Sequence, residues 1–289
     1  MSQLSLEFKV SIADVVIRMF STSEIELEEG YVPFLADEDA VVDIQAECFV
    51  GLPELNFDAL KLLFEARNDE QRFYSIYDAP EGYCFVVYDQ QEKDEVQQVA
   101  FLTAEFDYWK IYSRNAMALK YPMGPIMMHY LTLYTDAVLM HASCVFDGSK
   151  ARMFSGFSGV GKSTISGIWA KAGAQMINDD RLVIRKKGNE FWVYNTPMYY
   201  VDDSKKAILS SIYLIKHSPE NVLKKLSGAL AVSRVMAFCI QNNFDRAFID
   251  RRLKFFSELS NALPIAELGF VPTNEVIAFI KQNETSMLK

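Results

Sequence analysis

The chain has 289 residues, of which 50% are hydrophobic and 13% aromatic, and its formal net charge is −9. That composition excludes a disordered chain and leaves room for two domains, each able to bury a core of its own. The acidic balance disfavours a general nucleic-acid or anionic-membrane binder, because such partners reward a basic surface.

In chain order, Met1-Ser2-Gln3-Leu4-Ser5-Leu6-Glu7 lacks the basic start and apolar stretch of a secretory leader, and no apolar run nears the roughly 20 residues of a membrane span. The expectation is a cytoplasmic protein with no membrane partner. Leu4, Leu6, Phe8, Val10 and Ile12 alternate with polar neighbours, which is strand periodicity. Glu26, Glu28 and Glu29 read as a solvated acidic loop in preference to a metal cluster. A short helix is predicted over 55–66. Aromatic runs at 72–77 and 83–88 flank Pro80 and Gly82 as a hairpin, and 99–112 supplies a further strand or pair with Phe101, Phe106, Trp109 and Tyr112. Residues 1–120 therefore read as a β-rich domain for substrate recognition or oligomerisation. The four cysteines, Cys48, Cys84, Cys144 and Cys239, form no Cys-x-x-Cys pair and read as small buried apolar residues.

Residues 121–289 read as a second domain. Pro122 and Pro125 open a helix running to about Asp136, with Met128, Leu131 and Tyr134 on its inner face and His129 along it. A strand at 138–146 turns through Asp147-Gly148 into a short apolar strand at 151–155. A helix at 163–172 places Ile165, Ile168, Trp169 and Ala172 on one face, with Gly173 at its end. A strand at 174–178 ends in Asp179-Asp180. A hairpin follows at 182–185 and 190–194, where Arg185-Lys186-Lys187 is a solvated turn. Then come a strand at 211–216, helices at 219–226, 229–242 and 245–262, a strand at 265–270 and a helix at 274–281. The fold class is α/β, or α+β when both halves are counted.

Between the strand at 151–155 and its helix lies Gly156-Phe157-Ser158-Gly159-Val160-Gly161-Lys162-Ser163, a full G-x-x-x-x-G-K-S phosphate-binding motif followed by Thr164. The glycines admit conformations and close approaches that a Cβ resists, so backbone N–H groups can cradle phosphate oxygens. Lys162 reaches the phosphates, the Ser163 hydroxyl ligates Mg²⁺, and the helix N-terminus adds its positive end. The cofactors implied are ATP and Mg²⁺. Asp179 and Asp180 sit at the carboxyl end of a strand, where α/β proteins bind ligands. One carboxylate can hold magnesium and the other can accept a hydroxyl proton. His141 lies on the strand that leads into the motif, where it can stabilise phosphate charge or orient a neighbour. Arg181, Lys216 with His217, and Arg234 are candidates to neutralise a transferring phosphoryl group.

His141, the glycine loop and the Asp179-Asp180 pair, in that order and spacing, resemble the catalytic domain of bacterial HPr serine kinase/phosphorylase, a family whose nucleotide site is similar to that of ATP-dependent phosphoenolpyruvate carboxykinase. The likeness covers about 138–185. It implies that Lys162 binds the β- and γ-phosphates, that Ser163 and Asp179 hold the metal, that Asp180 is the general base and that His141 is the active-site histidine. The reaction implied is transfer of a γ-phosphoryl group to a hydroxyl of a protein, peptide or small molecule. The family's metal-binding glutamate signature has no counterpart here. The region reads Asn195-Thr196-Pro197-Met198-Tyr199-Tyr200-Val201-Asp202-Asp203-Ser204, in which Asp202 or Asp203 is either a replacement acid or part of a solvated loop. Two other readings stay open: a nucleotide-binding sensor or assembly module, and a carboxykinase-like or small-molecule kinase.

Overall fold

Alternating apolar positions organise the first part of the chain around one large sheet. The computed structural model describes residues 3–56, 59–68, 70–92 and 94–287. It comprises two units, Met1–Tyr134 with Pro197–Asp203, and Thr135–Thr196 with Ser204–Lys289. Both are built on large sheets with helices, a mixed α/β architecture.

The first unit contains β1 (Gln3–Ile12), β2 (Val15–Leu27), a 3-10 turn (Glu29–Phe34), β3 (Ile44–Val50), β4 (Leu62–Asn68), β5 (Gln71–Ala79), β6 (Gly82–Tyr88), β7 (Val96–Thr103), β8 (Tyr108–Ser113) and helix α1 (Met123–Tyr134). The sheet order is β1-β2-β3-β8-β7-β6-β5-β4. The β2–β3 and β3–β8 pairs are parallel and the others antiparallel. In β1 the alternation buries Phe8, Val10 and Ile12, whereas Leu4 and Leu6 remain exposed. The predicted hairpin at Pro80 and Gly82 forms between β5 and β6. The helix expected over 55–66 does not form. Phe57 and Asp58 lie outside the described residues, and from Leu62 onward the chain is an edge strand against β5. Its helix-compatible composition yields to cross-strand pairing, because intrinsic propensity is a weak prior against tertiary contacts.

Helix α1 was expected to open the second domain, but its packing places it in the first unit. The Tyr130 ring stands edge-on to Phe85 at 4.8 Å and to Trp109 at 6.1 Å. Aromatic contacts of this kind add to the area that each ring buries. The units accordingly divide after Tyr134 and not at 120. A cavity of about 280 Å³ lies elsewhere in this unit, walled by Tyr83, Phe101, Tyr108, Lys110 and Tyr112.

The second unit contains β9 (Ala137–Phe146), β10 (Ala151–Ser155), α2 (Lys162–Lys171), β11 (Gln175–Asn178), β12 (Arg181–Lys187), β13 (Glu190–Asn195), β14 (Lys206–His217), β15 (Val222–Leu226), α3 (Gly228–Met236), α4 (Arg246–Ala262), β16 (Ile265–Phe270) and α5 (Glu275–Met287). Two long strands are each shared between partners. The first half of β9 pairs with β12 and the second half with β10 and β11. Likewise β14 pairs with β13 through 206–208, then runs parallel to β10 and to β16. The hydrogen-bonded path β10-β9-β12-β13-β14 thereby closes on itself.

Period-2 alternation sorts the side chains of these strands into two cores. Val138, Met140, Ala142 and Cys144 of β9 join Leu182, Phe191 and the α4 residues Phe255, Phe256 and Leu259 in one. Val145, Phe154, Tyr213 and Ile215 point the other way, against Ile165, Ile168 and Trp169 of α2 and Val276 and Ile280 of α5. The residues expected on the inner face of the helix at 163–172 are thus the ones that bury, Ala172 excepted. All four cysteines are free and buried, and burial pushes the thiols of Cys48, Cys84 and Cys239 up to about 12.

One predicted helix in this unit is a strand. Residues 219–226 include β15, which pairs antiparallel with β16. Its exposed Lys224 and Lys225 are the kind of residue that guards a sheet edge against further pairing. The helix expected over 229–242 ends at Met236, after which 238–240 run beside β9: the His141 N–H donates to the Phe238 carbonyl (3.0 Å) and the Ile240 N–H to the Leu139 carbonyl (2.8 Å).

Candidate functional site

Strand β10 is wholly buried and ends at Ser155, and the glycine loop begins where it stops. Gly156 is required by proximity. A Cβ there would lie 2.8 Å from Val160 Cγ1 and 3.1 Å from the Ile215 carbonyl oxygen at the end of β14. Gly161 is required by conformation, since its φ of 103° is left-handed and it forms the N-cap of α2. The carbonyl of Gly161 accepts from the Ile165 N–H at 2.9 Å. The first N–H groups of α2 have no intrahelical acceptor, and they carry the positive end of the helix dipole. Ser158, Gly159, Ser163 and Thr164 are exposed and Val160 is half-buried. Phe157 is 77% exposed, and its ring stands edge-on to Phe238 at 5.3 Å.

Lys162 is buried. Its Nζ donates to the carbonyls of Gly156 (3.0 Å) and Phe157 (3.2 Å), so the ammonium lies along the loop. Its own carbonyl accepts from Ser143 Oγ (3.2 Å) and Ser166 Oγ (2.9 Å), which fastens the start of α2 to β9. Burial lowers the Lys162 pKa from its ordinary value, and the negative charge of Asp180 opposes that drop.

Asp179 and Asp180 occupy the turn from β11 to β12. The turn is set by Asn178, whose Oδ1 accepts from the N–H groups of Asp179 (2.7 Å) and Asp180 (3.0 Å). Local bonding of this type is characteristic of asparagine at turns. Asn178 is only 2% exposed, and its Nδ2 has no partner among the described residues. The Asp180 carbonyl accepts from the Ala142 N–H at 3.0 Å, which brings the turn against β9.

The carboxylate of Asp180 meets two partners. Its Oδ1 lies 3.3 Å from His141 Nδ1, and its Oδ2 lies 3.2 Å from Arg181 Nε. The hydrogen bond to His141 is the main reason that its pKa is held below the ordinary aspartate value. Burial works against this, and the charges of Arg181, His141 and Lys162 reinforce it. His141 and Arg181 are register partners on β9 and β12. The His141 carbonyl accepts from Ser155 Oγ at 3.0 Å, so the residue is tied to the last position of β10 as well.

The structure therefore brings His141, Asp180, Arg181 and Lys162 together, while two other cation candidates are engaged elsewhere or lie open. Lys216 is paired with Glu267 of β16, and Arg234 is an exposed position on α3. Asp202 and Asp203 belong to a segment that groups with the first unit. Ser163 Oγ and the Asp179 carboxylate form no side-chain hydrogen bond among the described residues. Each is a hard oxygen donor of the type that magnesium takes beside phosphates and water. Among the described residues no three His, Cys, Asp or Glu side chains form an all-protein metal cage.

Sequence reasoning missed Asn178 and the return of 238–240. An asparagine just before two aspartates at a strand end is a turn signal and was open to reading. The approach of Phe238 to His141 spans about a third of the chain and has no local signal.

No family model matches the chain, and no curated protein matches it. Among solved structures, the HPr(Ser) kinase/phosphatase from Coxiella burnetii is similar over 52% of this chain and 99% of its own, at 9% identity and a TM-score of 0.32. That is a weak fold-level likeness. No helix is long and apolar enough to cross a membrane among the described residues.

Proposed function

We propose that the second unit is an ATP-binding phosphotransferase that moves a γ-phosphoryl group to a hydroxyl of a protein, peptide or small molecule. The observation that carries this reading is the meeting of an acid–imidazole pair, Asp180 and His141, with the lysine of a complete glycine loop. Residues 156–164 would bind the nucleotide phosphates through backbone N–H groups and the α2 N-terminus, and Lys162 would swing from the loop carbonyls to the β- and γ-phosphates. Ser163 and Asp179 would hold Mg²⁺, which would neutralise phosphate charge when bound. Arg181, through Asp180, would fix the acidic side of the site. Little covalent work is left to the protein in such a reaction, so positioning and charge carry most of the catalysis. The first unit, with its aromatic-walled cavity, would recognise the acceptor or join two copies of the chain.

The test uses the full chain, γ-labelled ATP, Mg²⁺ and a pool of serine peptides and small hydroxyl compounds. Wild type is expected to bind ATP and label an acceptor. Lys162→Ala should weaken nucleotide binding about 10–100-fold, the value of one or two charge-assisted hydrogen bonds. If the wild type binds ATP yet no acceptor is labelled in a way that Asp180→Asn abolishes, the transferase reading falls and a nucleotide sensor remains.

A further inference from the structure

We propose that the cavity of the first unit binds a small aromatic carboxylate, one ring in size, with Lys110 as its counter-charge and the rings of Phe101, Tyr108 and Tyr112 as its walls. The proposal stands apart from phosphate transfer by the second unit, because every group it uses lies in the first.

Strand register builds the cavity. Side chains alternate between the two faces of a strand, so Tyr108, Lys110 and Tyr112 of β8 share one face. Cross-strand pairing adds Phe101 of β7, opposite Lys110, and Cys84 of β6, opposite Phe101. Two residues along, the row through Ala79, Gly82 and Thr103 carries only small side chains. Bulk on one row beside little on the next leaves a hollow. Gly82 is required there, since its φ is 145° and a Cβ would lie 2.2 Å from the Leu102 carbonyl oxygen. Elsewhere on this face Leu52, Leu55 and Leu60 pack against Cys84, Val86 and Val99, but those leucines do not line the cavity. The walls are held in place. The Tyr112 ring stacks on Phe49 at 4.6 Å and stands edge-on to Phe101 at 6.2 Å, and the Tyr108 hydroxyl donates to Glu47 Oε2 at 2.9 Å.

Charge and size select the ligand. Lys110 is half-buried, and its ammonium forms no ion pair, hydrogen bond or ring contact among the described residues. Its register partner on β3, Glu47, accepts from Tyr108 and makes no ion pair with it. Glu81, the acid that borders the cavity, is exposed on the turn between β5 and β6. An ammonium in a partly desolvated recess attracts an anion more strongly than one in open water. A ligand cation would find the rings favourable and the lysine unfavourable. One positive charge matches a carboxylate, whereas a phosphate monoester carries a second charge that nothing here meets. Fixed rings favour an aromatic body, which can stack on them or meet them edge-on. A cavity of roughly 150 Å³ holds benzene, so about 280 Å³ accommodates one ring with its carboxylate.

Ligand-observed NMR titration of the full chain, without nucleotide, tests this with four probes of similar size: benzoate, benzamide, benzylamine and cyclohexanecarboxylate. Benzoate is expected to bind about 10–100-fold more tightly than benzamide, the value of a hydrogen bond to a charged group. It should also bind more tightly than cyclohexanecarboxylate, which lacks the aromatic face. Lys110→Met should remove the preference for benzoate over benzamide and leave benzamide binding unchanged, and Lys110→Arg should retain it. The proposal is overturned by equal behaviour of benzoate and benzamide (no binding of either included), by tighter binding of benzylamine, by equal binding of cyclohexanecarboxylate, or by a benzoate preference that survives Lys110→Met. If Lys110→Met does not fold, the wild type carries the test. Its lysines are dimethylated with ¹³C-formaldehyde and the Lys110 signal is assigned through Lys110→Arg. Benzoate should shift that signal, and an unmoved signal overturns the proposal.

Discussion

At the scale of single residues, the glycine loop separates two reasons for the same side chain. Gly156 is excluded from carrying a Cβ by the fixed Ile215 carbonyl and by Val160, whereas Gly161 has space limited only by the Phe270 ring and is constrained by its φ of 103°. Gly161→Ala should therefore destabilise the second unit by about 1–2 kcal/mol, the cost of a left-handed L-residue, and weaken nucleotide binding with it. Denaturant unfolding alongside nucleotide titration checks both. An unchanged midpoint with unchanged affinity would mean that the loop does not need this conformation. The motif was legible in the sequence because its requirements lie within eight consecutive residues. The loading of Asp180 was not, because His141 and Asp180 meet only when β9 and β12 are in register.

At the scale of elements, the C-terminal helix is held to the sheet by a buried ionic cluster as well as by Val276 and Ile280. Arg152 of β10 is 1% exposed and pairs with Glu284 of α5 and with Asp147. Lys150 reaches Glu284 at 2.9 Å, and the Arg152 guanidinium lies 4.5 Å from the Trp169 ring centroid. Removing one partner leaves a desolvated charge behind, which costs more than the intact pair contributes. Glu284→Gln should cost about 3–5 kcal/mol on that ground and should speed hydrogen exchange in α5 before it does so in the strands. Replacing Arg152 and Glu284 together by apolar residues of similar volume should recover much of the loss; failure to recover would assign the energy to packing and not to charge. Element types were readable where periodicity was long, as in α2, α4 and the β5–β6 hairpin. They were misread at 55–66 and 219–226, where leucine and lysine suit a helix but an adjacent strand offers unpaired backbone groups.

For the whole molecule, the acidic composition and the ion pairs set a pH response with a definite sign. Asp147, Glu284 and Asp180 all have folded pKa values below their ordinary ones. For Asp147 and Glu284 burial acts to raise the value, but hydrogen bonds and cationic partners outweigh it. Groups of this kind contribute stability above their unfolded pKa, about 4 for a carboxyl, and lose it as pH falls through the lower folded values. The second unit should hold its stability down to about pH 4 and lose it steeply below, with a shallower slope in Glu284→Gln. Acid titration followed by near-ultraviolet circular dichroism reads this, and a flat response from pH 5 to 2 would refute it. The sequence by itself determined the mixed α/β class, the free buried cysteines, the glycine loop and the acidic turn at 179–180, since each rests on composition, short-range spacing or local turn chemistry. Only the tertiary structure decided that α1 packs with the first unit, that β14 and β9 are shared between partners, and that Asp180 stands between His141 and Arg181. Those features depend on strand register and on contacts between residues far apart in the chain, and register is chosen by the competition of whole faces for burial.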